Sequence, residues 1–178
     1  MVYMSWGFYI FLIVLLIFYY LLPLKFRWWV LLIGSFGFFY CLDKEGIGSI
    51  LFSILVSYLL GLLLHYFCNS SNQRFGEVKR DFKCKLCLLV AIVLVAVPFL
   101  VTKNINFFLR EWLRKARYDN LIVPLGISFY TLQMVSYLVD IYKGKITPQK
   151  NLFKYALFVL FFPQIVQGPI PRYEQLGI

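Results

Sequence analysis

Polar side chains recur at helical spacing in an otherwise apolar stretch near the carboxyl end of the sequence. This stretch, 125–142, carries five of them: Tyr130, Gln133, Ser136, Tyr137 and Asp140. At 100° per residue the five fall within about a third of a helix circumference. Amide and hydroxyl groups on one helix face can bind a polar substrate, line a cavity or bond a neighbouring helix.

A second polar stretch, 155–170, combines two glutamines with helix-breaking residues. It and the residues directly after it contain Gln164, Gln167, Pro163, Gly168, Pro169 and Pro171. Proline lacks a backbone donor and clashes with the preceding turn, so a regular helix should not continue past Phe162. Broken backbone at membrane depth is tolerated where it is buried in protein or lines a wet cavity.

We predict that one cavity-lining set spans both stretches: Tyr130, Gln133, Ser136, Gln164 and Gln167. Hydrogen bonding between helices, worth about 0.6 kcal/mol per bond on average, explains the amides equally well. Arg172 follows the broken stretch. It can anchor the membrane interface or contact an anionic substrate, and we favour the first interpretation.

Three other reactive groups are given no catalytic role. His65 is the only histidine, and we interpret it as an interfacial residue. For Asp140 we place a surface acid that pairs with Lys143 or Lys145 at the helix end ahead of a buried functional acid. The Cys84 and Cys87 pair has metal-ligand spacing, but a zinc site needs a second pair or nearby histidines. No metal site is therefore predicted.

Composition indicates an integral membrane protein. Of 178 residues, 61% are hydrophobic and 20% aromatic, against roughly 45–50% apolar in soluble domains. The net charge is +10, but the basic residues lie between apolar runs, where they act as topology signals. The expected fold is all-α, a polytopic transmembrane helix bundle, with membrane lipid as a partner and no nucleic acid.

The apolar runs predict four segments before the polar stretches: 8–22, 28–42, 47–67 and 86–101. A connection at 69–85 separates the last two. Small residues form two predicted faces for close helix contact, and these are Gly34, Ser35 and Gly37, followed by Ser49, Ser53, Ser57 and Gly61.

An amphipathic helix is predicted over 104–117, lying flat in the membrane interface with Asn104 as its cap. Its interface residues are Trp112, Arg110, Arg114 and Arg117. The lysine and arginine bias places the amino terminus outside and 69–85 in the cytoplasm. The basic connection after segment four breaks this pattern. Either that segment turns back within the membrane, or the amphipathic helix overrides the bias.

The sequence resembles a known family over two blocks. PLGISFYTLQMVSYLVDIYKGKITPQKN (124–151), followed by FFPQIVQGPIPRY (161–173), resembles the membrane-bound O-acyltransferases. The similarity is to the alginate O-acetyltransferase branch and, more distantly, to the D-alanine transfer proteins of teichoic acid synthesis. YYLLPLKFRWWVLLIGSFGFFY (19–40) and TKNINFFL (102–109) extend it upstream.

The resemblance implies a multi-pass protein of the bacterial plasma membrane that transfers an acyl group, here expected to be acetyl. The donor is an acyl thioester or acyl-carrier protein on the cytoplasmic side, with no tightly bound cofactor. The acceptor is a hydroxyl of an extracytoplasmic polysaccharide, handled with envelope-biosynthesis proteins. Residues 1–178 would then form the amino-terminal part of one acyltransferase domain, and the family's catalytic histidine is expected after Ile178. A non-catalytic scaffold or lipid-binding remnant, or a transporter-like path, is the alternative.

Overall fold

The computed structural model describes residues 6–44, 46–71, 82–111 and 126–163. Within these ranges all of the regular secondary structure is helical. A short 3₁₀ turn, Leu24–Phe26, joins the first two of six α-helices. The helices are α1 (Trp6–Leu21), α2 (Arg27–Leu42), α3 (Ile47–Ser71), α4 (Phe82–Glu111), α5 (Ile127–Tyr142) and α6 (Leu152–Leu160).

The α1–α2 hairpin begins where Pro23 ends the first helix, as the sequence predicts. The two helices approach closely at Gly34, where an added Cβ would collide with the side chain of Leu15. The rings of Phe11 and Phe38 stack between them with centroids 5.8 Å apart. The predicted small-residue face is therefore confirmed at Gly34, whereas Gly37 has no atom within 4 Å of its Cβ position.

Two helices are long and apolar enough to cross a membrane, over Ile47–Cys68 in α3 and Phe82–Val101 in α4. The predicted connection between them is too long at both ends. Helix α3 continues to Ser71, and α4 begins at Phe82. No proline or glycine lies in either added part, so nothing in the backbone chemistry ends the helices earlier.

The helix boundary predicted at Asn104 is wrong. Helix α4 runs without interruption from Phe82 to Glu111, with Pro98 inside it, so Asn104 lies within a helix instead of capping a new one. An isolated asparagine costs a helix only a few tenths of a kcal/mol relative to alanine, which a continuous helix tolerates. Arg110 is in α4; Trp112, Arg114 and Arg117 lie outside the described residues.

Helix α5 is the centre of the core. It contacts α3, α4 and α6, and its buried side chains cover about half of its circumference. Met134 and Leu138 are completely buried there, next to polar side chains that are buried as deeply. The polar face predicted from the sequence therefore points into protein.

Candidate functional site

The polar face of α5 is a buried site. Tyr130 is 1% exposed and Gln133 is 3% exposed, while Tyr137 is also buried and Ser136 is half-buried. Burying an amide or hydroxyl without a partner costs roughly 1–3 kcal/mol by mutational measures. The hydrogen bonds of these groups therefore show what the site is built to do.

Gln133 joins α5 to the end of α6. Its Nε2 donates to the carbonyl oxygen of Phe158 over 2.7 Å in a fully buried bond. The last four carbonyls of a helix have no partner within the helix, so an amide from a neighbouring helix can satisfy one of them. Of the two roles considered for Gln133, helix-to-helix bonding is the one that the structure displays.

Helix α6 breaks where the sequence predicts. It ends at Leu160, and Phe161 leaves helical geometry with φ −56° and ψ 104°. The following Pro163 cannot donate to a carbonyl one turn earlier, which removes a bond that would prolong the helix. The predicted site residues Gln164, Gln167 and Arg172 lie outside the described residues.

A serine of α2 supports the chain just after this break. The backbone nitrogen of Phe162 donates to Ser35 Oγ over 3.5 Å, and Ser35 is completely buried. The ring of Phe162 also packs between Phe11 and Phe38, with centroids 5.7 and 5.4 Å away. The α1–α2 hairpin and α5 thus hold the broken end of α6 from two sides.

A second buried polar group links α3 to α6. Tyr155 Oη donates to Ser57 Oγ over 2.8 Å, and Ser57 Oγ donates to the carbonyl of Ser53 over 2.8 Å. The rings of Tyr155 and Tyr137 lie 4.7 Å apart, and the Tyr137 hydroxyl accepts from the backbone nitrogen of Gln149 over 2.9 Å.

Sequence reasoning missed Tyr155 as a member of the polar site. The signal that could have found it is its spacing from Phe158, which puts both on one face of α6. Ser57 was predicted only as a small packing residue. Gly61, on the same stripe, confirms that role, because a Cβ there would lie 3.0 Å from Tyr137 Cε1.

Tyr130 differs from the other buried tyrosines. Its hydroxyl is buried and has no hydrogen-bond partner in the part of the chain that the structure describes. Ser49 lies beside it, short of hydrogen-bond geometry, and Asp43 is near enough to act on it electrostatically. This hydroxyl is the one buried polar side-chain atom, among those described, left unsatisfied.

Asp140 corrects the interpretation as a surface acid. It is 7% exposed, and its backbone carbonyl accepts from Lys145 N over 3.0 Å, which closes the turn after α5. The local sequence hides this because the lysines that follow are exposed while Asp140 itself lies on the buried face.

His65 lies half-buried on α3, two turns beyond Ser57.

The thiols do not form a disulfide. Cys41 is exposed, Cys84 is buried, Cys68 and Cys87 are half-buried, and none of the four is in a disulfide bond. Within the described ranges no three side chains of the metal-binding types come together. The candidate site is therefore a set of hydroxyls and amides around the broken end of α6.

Comparison with known proteins confirms the resemblance to the membrane-bound O-acyltransferases. The chain is 27% identical over 164 residues to "Probable alginate O-acetylase AlgI" of Azotobacter vinelandii, a match that covers 89% of this chain and 31% of that protein. It is 26% identical over 182 residues to the "Peptidoglycan O-acetyltransferase" of Helicobacter pylori, covering 86% of this chain and 32% of that protein.

A shorter region is more strongly similar. Over 56 residues the chain is 41% identical to the "Teichoic acid D-alanyltransferase" of Bacillus subtilis, covering 32% of this chain and 14% of that protein. The chain thus spans about a third, or less, of the length of these curated relatives. No family profile matches the chain, and no solved structure matches it.

Proposed function

We propose that this protein forms part of an integral-membrane O-acyltransferase that transfers an acyl group, acetyl in the first instance, to a hydroxyl of an extracytoplasmic polysaccharide. The observation that carries the proposal is the similarity over most of the chain to two proteins named as O-acetyl-transferring enzymes. Their named acceptors, alginate and peptidoglycan, are both polymers that carry sugar hydroxyls. A polysaccharide acceptor is therefore the simplest common substrate class.

The described helices support a multi-pass arrangement in the bacterial plasma membrane. Besides the two candidate spans, α1 and α2 have 16 residues each, or about 24 Å at 1.5 Å per residue. That length is short of the roughly 30 Å hydrocarbon core. Only α3 and α4, among the described helices, are therefore long enough to cross it. The outer face of α1 exposes large apolar side chains that lipid would cover, among them Ile10, Ile13 and Ile17.

In this proposal the buried polar face of α5 and the broken end of α6 form part of the wall of a path for substrates. A path through a membrane protein requires backbone that departs from regular helix only where protein or water can satisfy it. Gln133 and Ser35 provide such support at Phe158 and Phe162. The donor reaches the path from the cytoplasmic side as an acyl thioester, free or on a carrier protein.

The transfer itself needs a base for the acceptor hydroxyl. The acceptor oxygen forms an ester bond to the acyl carbon, the carbon–sulfur bond of the thioester breaks, and the thiol leaves. The hydroxyl proton passes to the base and then to the thiolate. The resemblance implies a histidine outside residues 1–178 for this role. His65 is not proposed for it, since the residues around it do not match the family's catalytic motif.

Chain 1–178 by itself is therefore expected to transfer no acyl group. General-base assistance is typically worth about 10²–10⁴-fold in rate, and its loss would leave transfer near the uncatalysed rate. The measurement is transfer of labelled acetyl from a thioester donor to alginate oligosaccharide by the purified chain in nanodiscs. Transfer that disappears in His65→Ala would contradict this assignment and return the base to His65.

The whole protein's function is tested in the bacterium that carries it. Deletion of the gene should remove ester-linked acyl groups from an envelope polysaccharide, measured as acetate released by mild alkali. Complementation with the intact gene should restore them, and complementation with a copy truncated after residue 178 should not. Unchanged ester content after deletion would reject the proposal.

A non-catalytic membrane scaffold is the second candidate. It is favoured by the position of His65, the chain's one histidine, which is half-buried on α3 and two turns from the Tyr155–Ser57 pair. A scaffold predicts that complementation with residues 1–178 restores polymer acylation through another enzyme, which separates it from the first proposal.

A further inference from the structure

The Tyr130 hydroxyl is unusual among the described residues because it is buried and none of them forms a hydrogen bond with it. Each of the other two most deeply buried tyrosines has a partner for its hydroxyl: Tyr155 donates to Ser57, and Tyr137 accepts from Gln149. Tyr130 is as buried as these, yet its hydroxyl has no hydrogen-bond partner among the described residues. Leaving such a group unpaired costs about 1–3 kcal/mol. Phenylalanine would fill the same space without that cost.

The neighbours of this hydroxyl are polar. Ser49, at the start of the small-residue stripe of α3, lies beside it, and Asp43 lies in the turn that leads from α2 into α3. The carboxylate of Asp43 accepts from the backbone nitrogen of Gly46 over 2.9 Å, which fixes the turn. A ligand hydroxyl placed here would meet both donors and acceptors, unlike one placed along the apolar faces of α5.

The site is close to one end of the fold. Helices α3 and α5 run in the same direction, because Ser49 lies by Tyr130 while Gly61 lies by Tyr137 and Ile141. Tyr130 is in the first turn of α5, which starts at Ile127 without a side-chain cap from Gly126. The orientation predicted from the basic residues puts this end, with the α2–α3 turn, on the extracytoplasmic side.

We propose that Tyr130 and Ser49 form a hydroxyl-binding site that holds a sugar hydroxyl of the acceptor polysaccharide. The inference rests on the proposed function for the identity of its ligand. The acceptor, and not the donor, is assigned to this site because the site lies at the Asp43 end of α3 and the donor enters from the opposite side. A phenol can donate to a sugar oxygen, and Ser49 can accept the sugar hydroxyl proton.

The test compares Tyr130→Phe and Ser49→Ala with a matched control, Tyr155→Phe, in the whole protein reconstituted in nanodiscs. The control removes a hydroxyl of the same kind and burial, but one that is already bonded within the protein. Tyr130→Phe should leave the thermal midpoint unchanged or raise it, since no hydrogen bond to a described residue is lost. It should raise the KM for alginate oligosaccharide about two- to tenfold and leave the donor KM unchanged. Tyr155→Phe should lower the midpoint, because it removes the hydrogen bond from Tyr155 to Ser57.

A second measurement does not depend on activity. Protein containing 3-fluorotyrosine is titrated with alginate oligosaccharide, and the Tyr130 resonance is assigned by its absence in Tyr130→Phe. A saturable shift of that resonance, lost in Ser49→Ala, is expected. A resonance that does not respond to the oligosaccharide would overturn the acceptor assignment. A Tyr130→Phe protein destabilised as much as Tyr155→Phe would show a structural role and overturn it as well.

The two proposals fail separately. If the protein transfers no acyl group but the Tyr130 resonance responds to oligosaccharide, the sugar-binding site stands and the proposed reaction does not. If transfer occurs while neither the acceptor KM nor the resonance responds, the reaction stands and the assignment of Tyr130 is rejected.

Discussion

Gln133 Nε2 donates to the carbonyl oxygen of Phe158 over 2.7 Å, and this bond ties the central helix to the last turn of α6. Three residues later the chain leaves helical geometry at Phe161. The bond therefore lies where the helix's own hydrogen bonds run out, and it makes the break in α6 a fixed feature of the fold.

Gln133→Leu is expected to lower the free energy of unfolding by about 1 kcal/mol, because it leaves a buried carbonyl without that partner. Amide hydrogen exchange near Phe161 and Phe162 should also speed up. Ser136→Ala is the control, since Ser136 is on the same helix but half-buried, and it should change neither measurement. Equal effects of the two variants would contradict the role given to Gln133.

Gly61→Leu is expected to destabilise the protein by about 1–3 kcal/mol. Even a Cβ at this position would lie 3.0 Å from Tyr137 Cε1 and 3.2 Å from Ile141 Cδ1, so a larger side chain has to separate α3 from α5. The matched variant is Gly48→Leu on the same helix, where nothing lies within 4 Å of the Cβ position. Thermal unfolding in detergent measures both, and a Gly61→Leu midpoint equal to that of Gly48→Leu would reject the close contact.

Asn104→Ala tests the continuity of α4 through the sign of its effect. Replacing an N-cap asparagine by alanine lowers the free energy of unfolding by about 0.5–2 kcal/mol. Inside a helix the same change gains a few tenths of a kcal/mol, because alanine has the higher helix propensity. We expect a small gain in the free energy of unfolding, comparable to that of Asn106→Ala two residues later. A loss of 1 kcal/mol at Asn104 alone would support a helix that starts there.

The membrane orientation gives a labelling prediction. With the native cysteines replaced, Ser71→Cys at the end of α3 should react with an impermeant thiol reagent only after the cells are opened, since basic connections remain in the cytoplasm. Lys44→Cys, in the turn at the opposite end of α3, should react in intact cells. The reverse pattern would invert the orientation and with it the side assigned to the Tyr130 site.

Local chemistry determined most helices in advance. Pro23 follows the end of α1, and Pro163 lies just after the break in α6 at Phe161. The apolar runs between polar turns correspond to α1, α2 and α3 within a few residues. The family resemblance was likewise readable from residues 124–151 and 161–173 before any fold was known. The spacing of Tyr130, Gln133 and Tyr137 also correctly indicated one shared helix face.

The boundary at Asn104 shows where local reasoning failed. The change from an apolar run to a two-faced pattern was interpreted as a new helix, but a change of pattern does not break backbone hydrogen bonds. Only residues that remove a donor or favour other dihedral angles do so. The interpretation of Asp140 as a surface acid failed for a related reason. The exposure of the lysines that follow it in sequence does not show whether its own helix face is buried.

The tertiary structure alone decided which polar groups meet. Tyr155 and Ser57 are separated by 98 residues, and Phe162 and Ser35 by 127. Sequence periodicity places a side chain on a face of its own helix but carries no information about which other face it will meet. The packing of α6 against α2, α3 and α5 brought these groups together. In the folded protein the Tyr137 hydroxyl bonds Gln149 and the Tyr155 hydroxyl bonds Ser57, while that of Tyr130 has no partner among the described residues.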